Sequence, residues 1–299
     1  MSETSRFFSP RLTRCVLIVA LIGLIFAVIP NVGATNATIS LDSVSTADNN
    51  GGAPTATLSW SHTVASGASI LIVGVSEASI PSPPPVVSVT FGSSSLTPIG
   101  AGESTPSRVE LWSLLYPTAG PATIKVLLST AETGVVGGAA SFFNVIGTTS
   151  FTTSTDQGGT VTTPSISVPA VSGELVIDVL ATCSTSCGNS PTPPVPSPGS
   201  TSDYISAEIN TELFAAASDA PAASPVTLSW VYTSNHWAMA AVALIPATTT
   251  FTPVHQTPVG GVMLPSVGLT VLLPWAIVLS LLWVLAVEAF TIKRRTKRQ

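Results

Sequence analysis

Apolar and polar residues alternate in short runs through the middle of this chain, and clusters of Gly, Pro, Asn and Ser separate the runs. A side-chain period of two is the pattern of a half-buried strand, and signals for amphipathic helices are nearly absent. Many short strands at near-regular spacing are typical of a sandwich or a barrel. The pattern predicts strands near residues 37–42, 55–63, 69–76, 86–91, 107–116, 122–128, 138–145, 164–168, 173–181, 203–214, 225–232 and 237–245.

The tetrapeptide TLSW occurs twice, ending once at Trp60 and once at Trp230. Alternation places Trp60 on the same strand face as Leu58, and Trp230 on the same face as Leu228. A large aromatic side chain flanked by aliphatic ones is expected in a hydrophobic core. Because the match does not extend beyond four residues, it does not indicate a duplication, and we expect both strands to enter one core.

The first 34 residues have the three-part layout of a secretory signal peptide, with Arg6, Arg11 and Arg14 before an apolar run at 15–29. Cleavage is expected after Ala34. The apolar run is shorter than the ~20 residues that span a bilayer. An uncleaved anchor is the alternative.

A second uncharged apolar run, at 262–287, is long enough to cross a membrane and precedes a basic tail at 293–299. We therefore predict a transmembrane anchor over 262–292 and a cytoplasmic tail after it. The Thr/Pro-rich segment 247–261 is typical of a stalk. The β-sandwich ectodomain is then residues 35–246.

The distribution of charge supports this topology. Only Arg108 and Lys125, of ten Lys and Arg residues, lie within 35–261, whereas all but Glu3 and Glu288 of the 15 acidic residues lie there. An acidic, lysine-poor surface lacks the clustered cations that phosphate binding requires, so no nucleic acid is expected. The expected location is the cell membrane, with a single pass and an extracellular ectodomain.

A family resemblance rests on four segments in chain order, TLSWSHTVASGASILIVGVSE, VVSVTFGSSSLTPIG, VELWSLLYPTAGPATIKVLLS and GGAASFFNVIG. They resemble a recurrent secreted domain of bacterial and archaeal surface proteins, the concanavalin A-like jelly roll. The resemblance covers most of 37–246 and implies an all-β antiparallel sandwich (jelly roll) without implying a reaction. One departure is GASILIV, where such domains usually carry a polar or basic residue.

The end of the chain carries a second, shorter resemblance. The segment VGGVMLP, the apolar run and the basic KRR are similar to archaeal sorting tails. That likeness implies cleavage near Gly260 and re-anchoring to lipid.

Short local patterns predict a disulfide, a glycosylation site and a calcium site. Cys183 and Cys187, spaced CSTSC, are expected to form a disulfide outside the membrane, and a metal site is the weaker alternative. Asn36 begins an Asn-Ala-Thr glycosylation sequon. Oxygen ligands around one turn form a candidate site for structural calcium, from Asp42, Asp48, Asn49 and Asn50.

A candidate ligand surface lies on the strand RVELWSLLY, where charged and aromatic residues suited to sugar stacking share one face. Those residues are Arg108, Glu110, Trp112 and Tyr116. A glycan hydrolase needs two carboxyl groups within about 10 Å. Glu208 and Glu212, on one strand face, would be ~13 Å apart, which is too far.

These observations predict a membrane-anchored cell-surface protein that is not an enzyme and serves in envelope structure or adhesion. The alternative is a carbohydrate-binding surface module, and the second alternative is a surface glycan hydrolase. The expected partners are membrane lipid through the C-terminal helix, and glycans or other surface proteins.

Overall fold

The structure, a computed structural model, describes residues 35–49, 53–156, 163–183, 193–208, 213–222, 224–232 and 236–249, all within one compact unit. The predicted signal peptide, transmembrane anchor and basic tail lie outside the described residues, as does the predicted stalk from residue 250 onward.

Every regular element of the described residues is a β-strand, and every strand pairing is antiparallel, which confirms the all-β prediction. The first half of the chain forms β1 (Thr35–Asn36), β2 (Ser40–Asp48), β3 (Thr55–Val64), β4 (Ala68–Ala78), β5 (Val86–Phe91), β6 (Ser94–Ser95), β7 (Thr97–Ser104), β8 (Ser107–Leu115), β9 (Gly120–Glu132) and β10 (Gly134–Phe143). The second half forms β11 (Val145–Asp156), β12 (Ser165–Val168), β13 (Leu175–Cys183), β14 (Val195–Pro196), β15 (Thr201–Glu208), β16 (Leu213–Pro221), β17 (Val226–Val231), β18 (His236–Pro246) and β19 (Thr248–Thr249).

The strands build two β-sandwiches in tandem, with the same strand order in each. In the first sandwich the five-stranded inner sheet runs β2-β10-β4-β8-β7 and the outer sheet runs β3-β9-β5-β6. In the second sandwich the inner sheet runs β11-β18-β13-β16-β15 and the outer sheet runs β12-β17-β14. In both, the first strand pairs with the last and the second strand with the last but one. The region expected to hold one sandwich therefore holds two.

The two inner sheets pack face to face, so the molecule has four layers. β15 lies over β2 and β10, while β11 lies over β7 on the other side of the interface. The strand β2 of the first sandwich corresponds to β11 of the second, and β7 corresponds to β15. The contact of β2 with β15 is therefore repeated as the contact of β11 with β7, with the roles of the two sandwiches exchanged. That reciprocity is the property of an isologous, two-fold interface, here formed inside one chain.

Three hydrophobic cores separate the four layers. The middle core joins the two inner sheets, and the two lateral cores each join an inner sheet to its outer sheet. The central strands β4, β10 and β18 of the inner sheets are buried on both faces and are apolar nearly throughout, whereas the outer strands β3 and β17 alternate. The solvent face of the first outer sheet carries hydroxyl side chains, among them Ser59, Ser61, Thr63 and Thr123.

The two TLSW tryptophans are both buried, which confirms their predicted place in a core. They do not share one core, however, because Trp60 belongs to the lateral core of the first sandwich and Trp230 to that of the second. Nor are their strands equivalent. Trp60 lies on β3, whose counterpart is β12, while Trp230 lies on β17, whose counterpart is β9. The two TLSW segments therefore do not occupy corresponding positions in the two sandwiches, and their similarity does not reflect the repeated strand order.

The two ends of the described chain meet at one place. Thr35 of β1 is paired with Thr249 of β19, and the amide of Ala37 donates to the carbonyl of Ala247 at 2.7 Å. The amide of Ala247 in turn donates to the carbonyl of Asn144, between the two sandwiches in sequence. The segments before Thr35 and after Thr249 therefore start from neighbouring points.

Aromatic side chains fit against glycines at both margins of the middle interface. The ring of Tyr204 on β15 lies on Gly138 of β10, and the ring of Phe151 on β11 lies on Gly100 of β7. A Cβ on either glycine would overlap the facing ring. The first contact joins β15 to β10 and the second joins β11 to β7, so two different strand pairs across the interface use the same kind of packing.

Tyr204→Phe is expected to leave the protein as stable as the wild type, or more stable by about 1 kcal/mol. The hydroxyl of Tyr204 is buried, and no described residue lies within hydrogen-bonding distance of it. Removing an unsatisfied buried hydroxyl relieves its desolvation cost and leaves the ring in place. Chemical denaturation followed by tryptophan fluorescence measures the change. Tyr116→Phe, at an exposed hydroxyl, is the control, and a clear loss of stability only in Tyr204→Phe would contradict this reading.

Candidate functional site

A charged network joins β7, β8 and the loop that follows β4 in the first sandwich. Glu110 accepts hydrogen bonds at Oε1 from Arg108 Nε (2.8 Å) and from the amide of Val86 (2.9 Å). Arg108 also forms an ion pair with Glu103 at 2.6 Å, and Ser82 donates to Glu103 at 2.7 Å. Burial alone would lower the pKa of Arg108, but its hydrogen bond to Glu110 helps to raise it overall. The network fixes the loop to the end of the sheets.

The predicted ligand surface is only partly assembled. Trp112 lies in the lateral core and donates its indole N–H to Glu110 Oε2 at 3.3 Å, so its ring offers no face to a sugar. Tyr116 is exposed but lies beyond Leu115, where β8 ends. Eight residues of strand separate it from Arg108, or ~26 Å. The structure brings Arg108, Glu110 and Trp112 together and leaves Tyr116 at the opposite end.

Glu77 is a buried carboxyl beside this network that the sequence patterns did not single out. Its side chain is fully buried, and no described residue lies within hydrogen-bonding distance of either carboxyl oxygen. Burial, followed by the charge of Glu110, raises the pKa of Glu77 to about 9. Glu77 therefore holds a proton at neutral pH, and the solvent has no access to it.

A second polar network closes the open edge between β2 and β3. Ser45 Oγ lies 2.8 Å from His62 Nδ1, and Ser141 Oγ lies 3.2 Å from His62 Nε2. Ser141 donates to Asp42 Oδ2 at 2.7 Å, and Trp60 donates its indole N–H to Ser45 at 3.0 Å. Burial lowers the pKa of His62 against the opposing effect of Asp42, so the imidazole is neutral.

A serine hydroxyl on a neutral histidine is the pair that nucleophilic hydrolases use. Here His62 is only 2% exposed, and Ser45 Oγ already accepts the Trp60 N–H. These contacts tie the edge strand of one sheet to the edge strand of the other. The arrangement is therefore a polar seam that links β2 to β3 within the first sandwich.

The second sandwich holds a fully buried carboxylate, Asp178, with its donors supplied by neighbouring strands. Asp178 Oδ1 accepts from the amide and the hydroxyl of Ser218, at 2.8 and 2.7 Å. Asp178 Oδ2 accepts the indole N–H of Trp230 at 2.7 Å. Burial raises the pKa of Asp178 to about 6, and these hydrogen bonds limit the rise. Trp230 thus links the outer sheet to the inner sheet.

Asp178→Asn is expected to lower the free energy of unfolding by about 2 kcal/mol. The amide group presents N–H to at least one of the three donors now bound by the carboxylate, so a buried donor loses its acceptor. Thermal unfolding followed by circular dichroism measures the loss. Asp48→Asn, at the half-buried end of β2, is the control and is expected to change stability by less than about 0.5 kcal/mol. Equal stability of Asp178→Asn and wild type would contradict the role assigned to this carboxylate.

Two further carboxyls of the second sandwich form a close pair. Asp203 occupies the bulge between Ser202 and Tyr204 on β15 and lies near Asp219, and among the described residues neither of its carboxyl oxygens has a hydrogen-bond partner. Burial, then the charges of Asp219 and Asp178, raise the pKa of Asp203 to about 8. Asp203 therefore holds a proton at neutral pH.

The candidate calcium ligands do not converge on one point. Asp42 lies near the start of β2 and Asp48 at its end, so about six residues of strand, ~20 Å, separate them. Asn49 follows Asp48 and donates to the carbonyl of Glu132, whereas Asn50 lies outside the described residues. In the described part of the chain no three His, Cys, Asp or Glu side chains are grouped so as to hold a metal ion.

The remaining candidate positions are placed as follows. Cys183, at the end of β13, is disulfide-bonded, while Cys187 lies outside the described residues. Asn36 is exposed on β1, where it pairs with Thr248.

Comparison with known proteins gives no further constraint. No protein-family model, no curated protein and no solved structure matches this chain. No helix among the described residues has the length and apolar character needed to span a membrane, and both long apolar runs of the sequence lie outside those residues.

Proposed function

We propose that this chain is a membrane-anchored cell-surface protein whose two jelly-roll sandwiches form a rigid, non-catalytic body for envelope structure or adhesion. The observation that carries the proposal is the pairing of Thr35 with Thr249. Because of that pairing, the segments that lead to the apolar runs 15–29 and 262–287 both leave the body at the same end. A tether at one end leaves the rest of the body free to meet other surfaces.

The jelly-roll class is supported by the nested strand order of each sandwich. In the first, β2 pairs with β10 and β3 with β9, and in the second β11 pairs with β18 and β12 with β17. Nesting of this kind is what two successive Greek keys produce when eight strands fold into two sheets.

The non-catalytic part of the proposal is supported by how the polar side chains are used. Glu110, His62 and Asp178 are buried and bonded within the body, at positions where they link strands or sheets. A catalytic group must reach a substrate, whereas these three side chains are buried and form hydrogen bonds within the protein. The burial of Trp112 also weighs against the carbohydrate-binding alternative at β8.

Membrane fractionation of cells tests the anchoring. The full chain is expected in the membrane fraction, resistant to carbonate extraction, and open to a protease added outside intact cells. A variant truncated after Phe251 is the control and is expected in the medium. Recovery of the full chain in the soluble fraction, or its protection from external protease, would sink the proposal.

A glycan array probed with the full chain in detergent, with calcium and with a chelator, separates the rival functions. Saturable binding to one glycan class would favour the carbohydrate-binding alternative. Release of sugar from a bound polysaccharide would favour the hydrolase. No binding and no release is the result expected for a structural or adhesive body.

A further inference from the structure

Five of the eleven exposed large apolar side chains among the described residues lie at the end of the body where β1 and β19 pair. We call this the terminal end and define it by β1, β19 and the turns 65–67, 116–119, 144–147 and 170–173. Contacts around Ser69 join two of these turns, since its carbonyl accepts from the amide of Tyr116 and its hydroxyl accepts from the amide of Val145.

The turn 170–173 lies beside β1. Gly173 lies against Asn36, whose side-chain nitrogen would be 2.6 Å from a Cβ at that glycine. The turn is held by Glu174, which accepts the amide of Val171 at 2.8 Å. The exposed large apolar residues of the terminal end are Tyr116, Ile146 and Val171, and Leu41 of β2 and Leu115 of β8 are exposed at the adjoining strand ends.

The terminal end is also uncharged. None of its four turns, and neither β1 nor β19, contains an Asp, Glu, Lys or Arg residue. The nearby carboxylates of Asp42 and Glu174 accept backbone amides of the turns, from Ala65 and Val171. By contrast, the opposite end of the first sandwich carries Arg108 and its three glutamate neighbours, Glu77, Glu103 and Glu110. The two ends therefore differ in kind, one apolar and one charged.

We propose that the terminal end rests on the lipid bilayer, with Tyr116 and Val171 in the interfacial layer. The proposal rests on the membrane anchoring argued above, because the segments that carry both apolar runs start at this end. Twelve residues, 250–261, separate Thr249 from the second run, a reach of at most ~40 Å. Turns with an exposed tyrosine and exposed aliphatic side chains match the interface, where tyrosine and tryptophan are enriched and apolar side chains are buried at the headgroup/acyl boundary.

Photo-crosslinking of the full chain in lipid vesicles tests the contact. Benzoylphenylalanine replaces Tyr116, Val171 or Val87 in separate variants, in vesicles of phosphatidylcholine with a minor fraction of phosphatidylglycerol. Tyr116 and Val171 are 70% and 64% exposed at the terminal end, and Val87 is 56% exposed near the charged end, which makes it a matched control. After illumination, lipid adducts are expected at positions 116 and 171 and only background at position 87.

Vesicle flotation in the same samples separates the two proposals. Background adducts at all three positions in chains that float would overturn the contact while leaving the anchoring intact. Adducts between position 116 and a second copy of the chain would also overturn it, because they would make the terminal end a self-interface. Failure of all variants to float would instead remove the anchoring on which the contact rests.

Discussion

Gly138→Ala is expected to lower the free energy of unfolding by about 3 kcal/mol, by forcing the two inner sheets apart. A Cβ on Gly138 would overlap the ring of Tyr204, which is buried where β15 packs against β10. Chemical denaturation followed by tryptophan fluorescence gives the loss. Gly147→Ala is the matched control, since its Cβ would meet Ile245 Cδ1 at an ordinary 3.8 Å.

The same substitution in a Tyr204→Ala background identifies the cause. Tyr204→Ala is itself destabilising, but the new methyl then enters space that the ring has vacated. The cost of Gly138→Ala is therefore expected to fall or change sign, a coupling that independent sites do not show. If Gly138→Ala cost no more than Gly147→Ala, or if its cost were the same in both backgrounds, the aromatic-on-glycine contact would not hold the sandwiches together.

The strand content and the faces of the outer strands could be read from alternation alone. Ser59, Trp60 and Ser61 follow a strict out-in-out pattern, and the structure buries the middle one. Such a strand has one solvent face, so the period of two survives in the sequence. This is why both TLSW tryptophans were placed correctly in a core.

The presence of two sandwiches with the same strand order could not be predicted in this way. Corresponding strands of the two sandwiches occupy equivalent places in the fold, but their amino-acid sequences differ. A different signal was present. The strand β4 reads ASILIVGVSEA and β18 reads HWAMAAVALIP, which are apolar runs with little alternation. A strand apolar on both faces must be covered on both faces, which requires a sheet with a layer on each side. Two such sheets in one chain indicate four layers, and a single two-layer sandwich cannot accommodate them.

The buried carboxyls have a comparable signature. Glu77 and Asp178 are each the lone acid in an apolar strand, in VGVSEA and LVIDVLA. An acid at such a position is a buried group that must find donors or keep a proton. The sequence does not say which, since the donors of Asp178 come from Ser218 and Trp230, 40 and 52 residues away. Residues so far apart in the sequence are brought together only by the fold.

The wild-type protein is expected to lose stability as the pH rises from 5 to 9. Glu77→Gln is expected to abolish most of that loss. Burial, then the charge of Glu110, raises the pKa of Glu77 from 4.5 to about 9. The folded state keeps a proton that the unfolded state releases, so the stability from this group is complete below pH 4.5 and is lost as the pH rises toward 9. At ~1.4 kcal/mol per pKa unit, the loss reaches about 3 kcal/mol at pH 7 and about 6 kcal/mol at pH 9.

Thermal unfolding of both proteins at pH 5 and pH 8.5 measures this difference. At pH 5 the acid and the amide are both neutral and similar in size, so similar melting temperatures are expected, whereas at pH 8.5 Glu77→Gln is expected to melt higher. Part of the slope remains in the variant, because the raised pKa values of Asp178 and Asp203 act in the same direction. Glu77→Met, which buries no polar group, is expected to be at least as stable at pH 8.5. Identical slopes in wild type and Glu77→Gln would mean that water reaches the carboxyl in the folded protein, and the lateral core around it would then be open at the charged end.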